Sequence, residues 1–252
     1  MKTPLRVYVG WDSREVIAYE VAEFSLRRRA SVPVQVIPLR LHELGHVLTR
    51  PIERLENGKL WCPISKAPMA TEFAISRFAV PFLEQKRSEP RAVGEFSVFE
   101  RPGWALFIDC DMLFQADVAE LFALADDRYA VMVVKHDQPP GPLTKMDGQV
   151  QTYYRRKNWS SVVLWNCAHE ANRRLTLEAL NSLPGRDLHA FSWLKDEEIG
   201  TLPREWNVLV DAVPPKLLHY TLGGPWFPGY EDCDRASEWK LERRRQYLEE
   251  GR

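Results

Sequence analysis

The chain lacks most of what would mark a metal-cluster, membrane or polyanion-binding protein. Its four cysteines, Cys62, Cys110, Cys167 and Cys233, stand far apart and form no C-x-x-C pair, which argues against a zinc cluster. Widely spaced thiols fit a reducing compartment. Charge of one sign is missing too: 34 lysines and arginines face 35 aspartates and glutamates. Bulk charge therefore gives no reason to expect a nucleic-acid partner, and any phosphate recognition has to be local. No apolar run approaches the ~20 residues of a membrane span. The opening Met-Lys-Thr-Pro-Leu-Arg-Val-Tyr-Val-Gly enters a strand pattern without the apolar stretch of a signal peptide. A cytoplasmic location is expected, with peripheral association at the inner face of a membrane open to it if the acceptor is membrane-bound. There is no internal repeat and no low-complexity segment. The 252 residues, 45% of them hydrophobic, can bury a sizeable core, and one domain over 1–252 is the economical reading. Nothing fixes an oligomeric state.

What is present is an alternation of strand and helix patterns. Residues 5–9 read as a strand ended by Gly10. Ser13 is placed to cap a helix carrying Val16, Ile17, Glu20, Val21 and Phe24 at helical spacing. Residues 32–38 read as a second strand, and this β-α-β opening predicts an α/β protein with a parallel sheet. Residues 40–68 read as irregular, 70–85 as a helix kinked at Pro81, and 87–103 as a surface link. Further strands are expected at 129–134, 161–165, 208–213 and 216–220, and helices at 118–124 and 170–183. The charged tail, 236–252, reads as a peripheral helix.

The most telling stretch runs from Trp104 to Phe114. Apolar residues lead straight into Asp109 and Asp111 and then resume. Read as one buried strand, side chains alternate, so the two carboxylates point the same way. Adjacent carboxylates at the end of a buried strand repel each other and are costly to desolvate. A divalent cation removes that cost, and hard oxygen donors suit magnesium or manganese, which commonly share their coordination with substrate phosphates. Ligands of open α/β sheets bind beyond the carboxyl ends of the strands. Other polar positions fall at such ends: Gly10-Trp11-Asp12, Lys135-His136-Asp137, and His219 ahead of Gly223-Gly224-Pro225-Trp226.

Together, Asp109-Cys110-Asp111 after a buried strand, the strand–Gly10-Trp11-Asp12 opening, Ser76-Arg77-Phe78 before the central strand and His219 ahead of Gly-Gly-Pro-Trp resemble a nucleotide-sugar glycosyltransferase of the GT-A fold. The likeness is to family 8, the glycogenin and bacterial galactosyltransferase-like group, over about residues 5–230. It implies a Rossmann-like, mostly parallel central sheet flanked by helices. It also implies that Asp109 and Asp111 hold manganese (or magnesium) with His219 as third ligand, the cation acting as a Lewis acid on the donor diphosphate. Val9, Gly10 and Asp12 would line the base and ribose pocket. Arg77 would reach the diphosphate or donor sugar, its alternative being an ion pair with Glu72. Cys110 counts among the donor-site residues although its side chain should face the core. Gly223 and Gly224 would offer backbone N–H groups to phosphate. Asp196 and Glu197 would stand beside the anomeric carbon, stabilising an oxocarbenium-like state or acting as general base; beside Glu198 they also fit a solvated turn. Read from the residues alone, the consecutive cations Arg155, Arg156 and Lys157 before a strand fit neutralisation of a donor or acceptor phosphate, with Lys135 and Lys145 as further candidates, and Asn158, Ser160 and Ser161 fit hydrogen bonds to sugar hydroxyls; a charged surface loop is the alternative. Two departures point to a divergent bacterial branch. Trp159-Ser160-Ser161 stands where family 8 carries an Asn-Ala-Gly type segment, and Gly224 where it carries a lysine before the final Pro-Trp.

The resemblance thus implies a metal-dependent, retaining hexosyltransferase using a nucleotide-sugar donor, UDP-sugars favoured, and a glycan, lipid-linked (glycolipid) or small-molecule acceptor. Two other readings compete. A haloacid-dehalogenase-type phosphatase also places D-x-D after a buried strand, and Lys195-Asp196-Glu197 imitates its later lysine and acidic pair. However, Leu113 stands where that motif wants a small residue, and a β-α-β unit precedes it here. A catalytically inactive nucleotide-sugar-binding protein is the other, and the complete set Asp109, Asp111 and His219 speaks against it.

Overall fold

The computed structural model describes residues 3–56, 58–87, 103–136, 156–209 and 213–251, with the backbone of four further strand segments, Arg91–Val93, Phe96–Val98, Leu143–Thr144 and Val150–Gln151. The strands that build the site are β1 (Leu5–Gly10), β2 (Val34–Leu39), β3 (Trp104–Ile108), β4 (Met112–Phe114), β5 (Val131–Val133), β6 (Val162–Asn166), β7 (Ile199–Thr201) and β8 (Leu217–His219). Six of them form one sheet in the order β7-β5-β6-β3-β1-β2. β1 runs parallel to β2 and β3, and β5 parallel to β7, while β6 is antiparallel to both β3 and β5. The expected mostly parallel α/β sheet is therefore what the chain forms. Val7, Val9, Leu106, Phe107, Val131, Val163 and Leu164 are fully buried, as strands covered on both faces require.

This topology collects one edge. β1, β3, β5 and β7 all end there, and the reversed β6 begins there, so residues 109, 134 and 160–161 lie at the same edge of the sheet as Gly10. β4 leaves the main sheet and pairs antiparallel with β8, His219 lying opposite Met112. Helix α1 (Val16–Arg29) packs over β4. Its buried Ala18, Tyr19, Val21, Ala22, Ser25 and Leu26 recur at helical spacing, and arginines 27–29 close its last turn, where cations favour the helix dipole. Ser25 locks the junction, its hydroxyl accepting from Phe114 N–H at 3.1 Å.

Several elements differ from the sequence expectation for identifiable reasons. Ser13 does not cap α1: its hydroxyl donates to Glu72, and Glu15 holds the cap position. The helix expected at 70–85 is a 3-10 turn, Ser76–Ala79, followed by α2 (Val80–Arg87). Pro81 starts α2 rather than kinking it, because the first turn needs no N–H there. Residues 40–68 are not wholly irregular: Glu53–Arg54, Leu60–Cys62 and Ala67–Met69 form a small antiparallel sheet. Val118–Phe122 is the short helix α3, capped by Asp117. The helix expected at 170–183 breaks into Glu170–Arg174 and α4 (Leu177–Ser182), since Thr176 caps the second piece by accepting from Ala179 N–H. α5 (Gly185–His189) follows. Of the strand expected at 208–213, Val208 makes an isolated bridge to Leu218, and 210–212 lie outside the described residues, as do most of 88–102 and 137–155. The terminal helix α6 (Ala236–Glu249) is less peripheral than its charge suggested. Trp239, Glu242 and Gln246 are buried, and Glu242 pairs with Arg28 and Arg29 of α1.

Candidate metal and donor site

The strand expected over 104–114 stops at Ile108, and Asp109, Cys110 and Asp111 form the turn between β3 and β4. The turn is pinned from both sides: Asp109 N–H donates to Ser161 O at 3.1 Å, and Tyr220 N–H donates to Asp111 O at 2.9 Å. Cys110 points into the core with no exposure, as expected, and burial raises its thiol pKa well above normal. The carboxylates point outward. With His219 brought alongside by the β4–β8 register, one ligand atom each from Asp109, Asp111 and His219 lies within 4.8 Å of the others. His219 Nε2 stands 3.3 Å from Asp111 Oδ1 and 3.9 Å from Asp109 Oδ2.

Arg77 completes this corner. It is buried under the turn, with its guanidinium 2.9 Å from Asp109 Oδ1 and donating to Ser160 O at 2.8 Å. It lies over the Phe107 and Phe73 rings at 5.0 and 5.4 Å, an arrangement that favours a cation. The alternative pairing with Glu72 is absent: Glu72 receives Ser13 and Arg54 instead. Two carboxylates against one arginine and one imidazole leave a donor set of two oxygens and a nitrogen. That composition fits a divalent cation.

The other expected residues fall into distinct groups. Asp12 lies at the edge but is fully buried, its carboxylate accepting from Arg14 N, Nε and Nη2 and from Glu72 N–H. Burial opposes its ionisation, yet these bonds win and hold its pKa below the usual carboxylate value. Val9 is buried within β1. Gly10 is required by packing, because a Cβ there would lie 2.5 Å from the Phe73 ring. Gly224 is required likewise: its Cβ would sit 2.0 Å from the Trp226 ring. Gly223 has φ +115°, and its N–H donates to Tyr220 O. Ser160 and Ser161 border the site from behind, with hydroxyls turned onto His189 Nδ1 at 2.7 Å and Asn158 O at 3.0 Å. Arg156 is not a solvated phosphate cation. It is buried, and it donates to the carbonyls of Ala190, Phe191 and Leu194 and to Asp196. Lys157 is buried as well, and Arg155 and Lys145 lie outside the described residues. Asp196 thus carries an arginine partner, and Glu197 is exposed in the same 3-10 turn, Asp196–Glu198. Lys135 donates to Ile199 O at 2.9 Å, and burial lowers its pKa.

Two residues escaped the sequence reading. Glu15 is buried at the start of α1 and accepts from Trp226 Nε1 at 3.2 Å. Burial, then the charges of Asp111 and Asp12, push its pKa up to about 8. Its position before an amphipathic helix was a faint signal. Asn207, with no exposure, sits between Ser161 and His219, and nothing local in the sequence marks it.

No protein-family model matches the chain. Protein CDI of Arabidopsis thaliana is 42% identical over 247 residues, 94% of this chain and 85% of the relative. The chain belongs to the protein CDI family. The CDI-family fold described above is also that of solved glycosyltransferases. The bifunctional glycosyltransferase WbbM superposes with a TM-score of 0.59 at 16% identity over 96% of this chain and 50% of WbbM. The apo-form glycosyltransferase GlyE of Streptococcus pneumoniae gives 0.52 at 14% identity over 99% and 64%. The galactosyltransferase LgtC, solved with donor and acceptor sugar analogues, gives 0.52 at 10% identity over 96% of each chain. The CDI-family chain thus spans half of WbbM and 64% of GlyE.

Proposed function

We propose that this chain is a metal-dependent glycosyltransferase, of family 8 type, that moves a sugar from a nucleotide-diphosphate donor, UDP-sugars favoured, to a glycan, lipid-linked or small-molecule acceptor. The observation that carries the reading is the convergence of Asp109, Asp111 and His219 at the edge where the parallel strands end. Asp111 and His219 stand more than a hundred residues apart in the sequence, yet the donor atoms of all three residues meet within 4.8 Å, and two carboxylates side by side are a charge arrangement that a divalent cation favours. A bound manganese ion would supply charge stabilisation to a leaving diphosphate.

The remaining steps belong to the protein's own groups. Arg77 neutralises Asp109 and stands ready to share its charge with a phosphate. Trp226, held by Glu15, stands beside the glycine turn. Asp196 and Glu197 are the candidates for the group next to the reacting carbon. Because Asp196 is engaged by Arg156, Glu197 is the freer to stabilise positive charge in a retaining transfer. The likeness to LgtC over 96% of both chains supports this reading over a phosphatase, which has no use for His219.

Thermal unfolding against a panel of nucleotide sugars and free nucleotides, with manganese and then with chelator, tests the proposal, since a tight ligand raises the midpoint by mass action. A manganese-dependent shift with uridine nucleotides is the expected result. No shift with any nucleotide would overturn it.

A further inference from the structure

Resting on the metal reading above, the question is what presents the right nitrogen of His219. A neutral imidazole carries one proton, on Nδ1 or Nε2, and only the unprotonated nitrogen can ligate. Nε2 is the atom facing Asp109 and Asp111. Were it protonated, it would donate to the carboxylates and close the site to a cation.

A buried polar chain decides the matter. Asn158 adopts a left-handed conformation, φ 63°, and its carbonyl oxygen, which can only accept, takes the Ser161 hydroxyl proton at 3.0 Å. With that proton committed, Ser161 Oγ can only accept from Asn207, whose Nδ2 lies 2.8 Å away. The Asn207 amide is thereby oriented, and its Oδ1 faces His219 Nδ1 at 2.9 Å. An acceptor at that distance between side chains this deeply buried requires a proton on Nδ1, because two facing lone pairs would each go unsatisfied. The polarity of the chain is fixed at its far end by a backbone carbonyl. Ser161 also receives Asp109 N–H on its own carbonyl, so one residue holds ligands on both sides of the site.

We infer that Asn207, oriented by Ser161, is a positioning residue that fixes the Nδ1–H tautomer of His219 and so keeps the Nε2 lone pair for the metal. Partners of this kind are worth about 10–100-fold in metal affinity.

The tautomer can be read in the metal-free protein by long-range 1H–15N correlation, with the pH raised until the ring carries one proton. Manganese affinity is then read from free Mn2+ by electron paramagnetic resonance. Wild type should show Nδ1–H. Asn207→Leu should move the proton to Nε2 and weaken manganese binding by about 10–100-fold, and Asn207→Asp, which keeps an acceptor, should restore both. If the leucine variant does not fold, Ser161→Ala, which frees the amide to turn, should give mixed tautomers and weaker binding. A wild-type ring protonated on Nε2 would overturn the inference, as would tautomer and affinity unchanged in the leucine or alanine variant. A wild type that shows Nδ1–H, loses it in the variants and yet binds no manganese would uphold the chain of hydrogen bonds and sink the metal reading instead.

Discussion

At the scale of single residues, the site sets two carboxylates against one buried arginine and one imidazole. Asp109→Ala and Asp111→Ala are each expected to abolish transfer while leaving the circular dichroism spectrum near wild type; Asp111→Ala should also leave the unfolding midpoint near wild type, whereas Asp109→Ala removes the partner of the buried Arg77 and should lower it. Glu15 gives a pH-dependent signature. Its carboxyl pKa is raised to about 8 from 4.5, so its neutral form favours folding. That contribution is complete below pH 4.5 and is lost as pH rises through about 8. Glu15→Gln should therefore stabilise the metal-free protein on the alkaline side and leave it unchanged in acid, as denaturant titrations at several pH values would reveal. Gly224→Ala drives a methyl group into the Trp226 ring and should cost about 1–3 kcal/mol, measured the same way, with weakened donor binding as the ring shifts.

At the scale of elements, α6 illustrates why charge alone misleads. Its sequence reads as a solvated helix, yet it turns Trp239 into an apolar cluster with Val21, Leu113, Val208, Leu218 and Tyr220. It also turns Glu242 onto two arginines of α1. Burial opposes ionisation of Glu242, but the hydrogen bonds from Arg29 and Arg28 prevail and lower its pKa to about 2. This stability is present above pH 4.5 and is lost as pH falls toward 2. Glu242→Ala strands partly solvated arginines and should cost about 2 kcal/mol at neutral pH, with the difference from wild type shrinking in acid. The proline at position 81 carries the same lesson. A breaker inside a helical pattern can equally mark a start, and only the backbone it joins decides which.

At the scale of the whole molecule, the parts of the sequence that could be read were those whose physics is local. The apolar run into Asp109 and Asp111 announced a strand end with a charge problem, and the β-α-β opening announced the parallel sheet. His219 was legible through the glycines and tryptophan that follow it. The reversed direction of β6 was not, because strand sense depends on connections through distant segments. Asn207 was invisible for the same reason: its partners lie 46 residues before and 12 after it. The close approach of an aromatic ring to Gly10 and to Gly224 was not legible either, because no spacing rule reveals it.

The pairing of β4 with β8 has a consequence for how the protein comes into being. His219 and Met112 face each other across more than a hundred residues of chain, so a polypeptide emerging from the ribosome carries both aspartates long before it carries their partner. Until the strand that carries His219 has been made and has docked, the acidic turn has Arg77 beside Asp109 but lacks its imidazole. On the metal reading proposed above, copies that stop short of His219 should therefore bind manganese more weakly than copies that reach it.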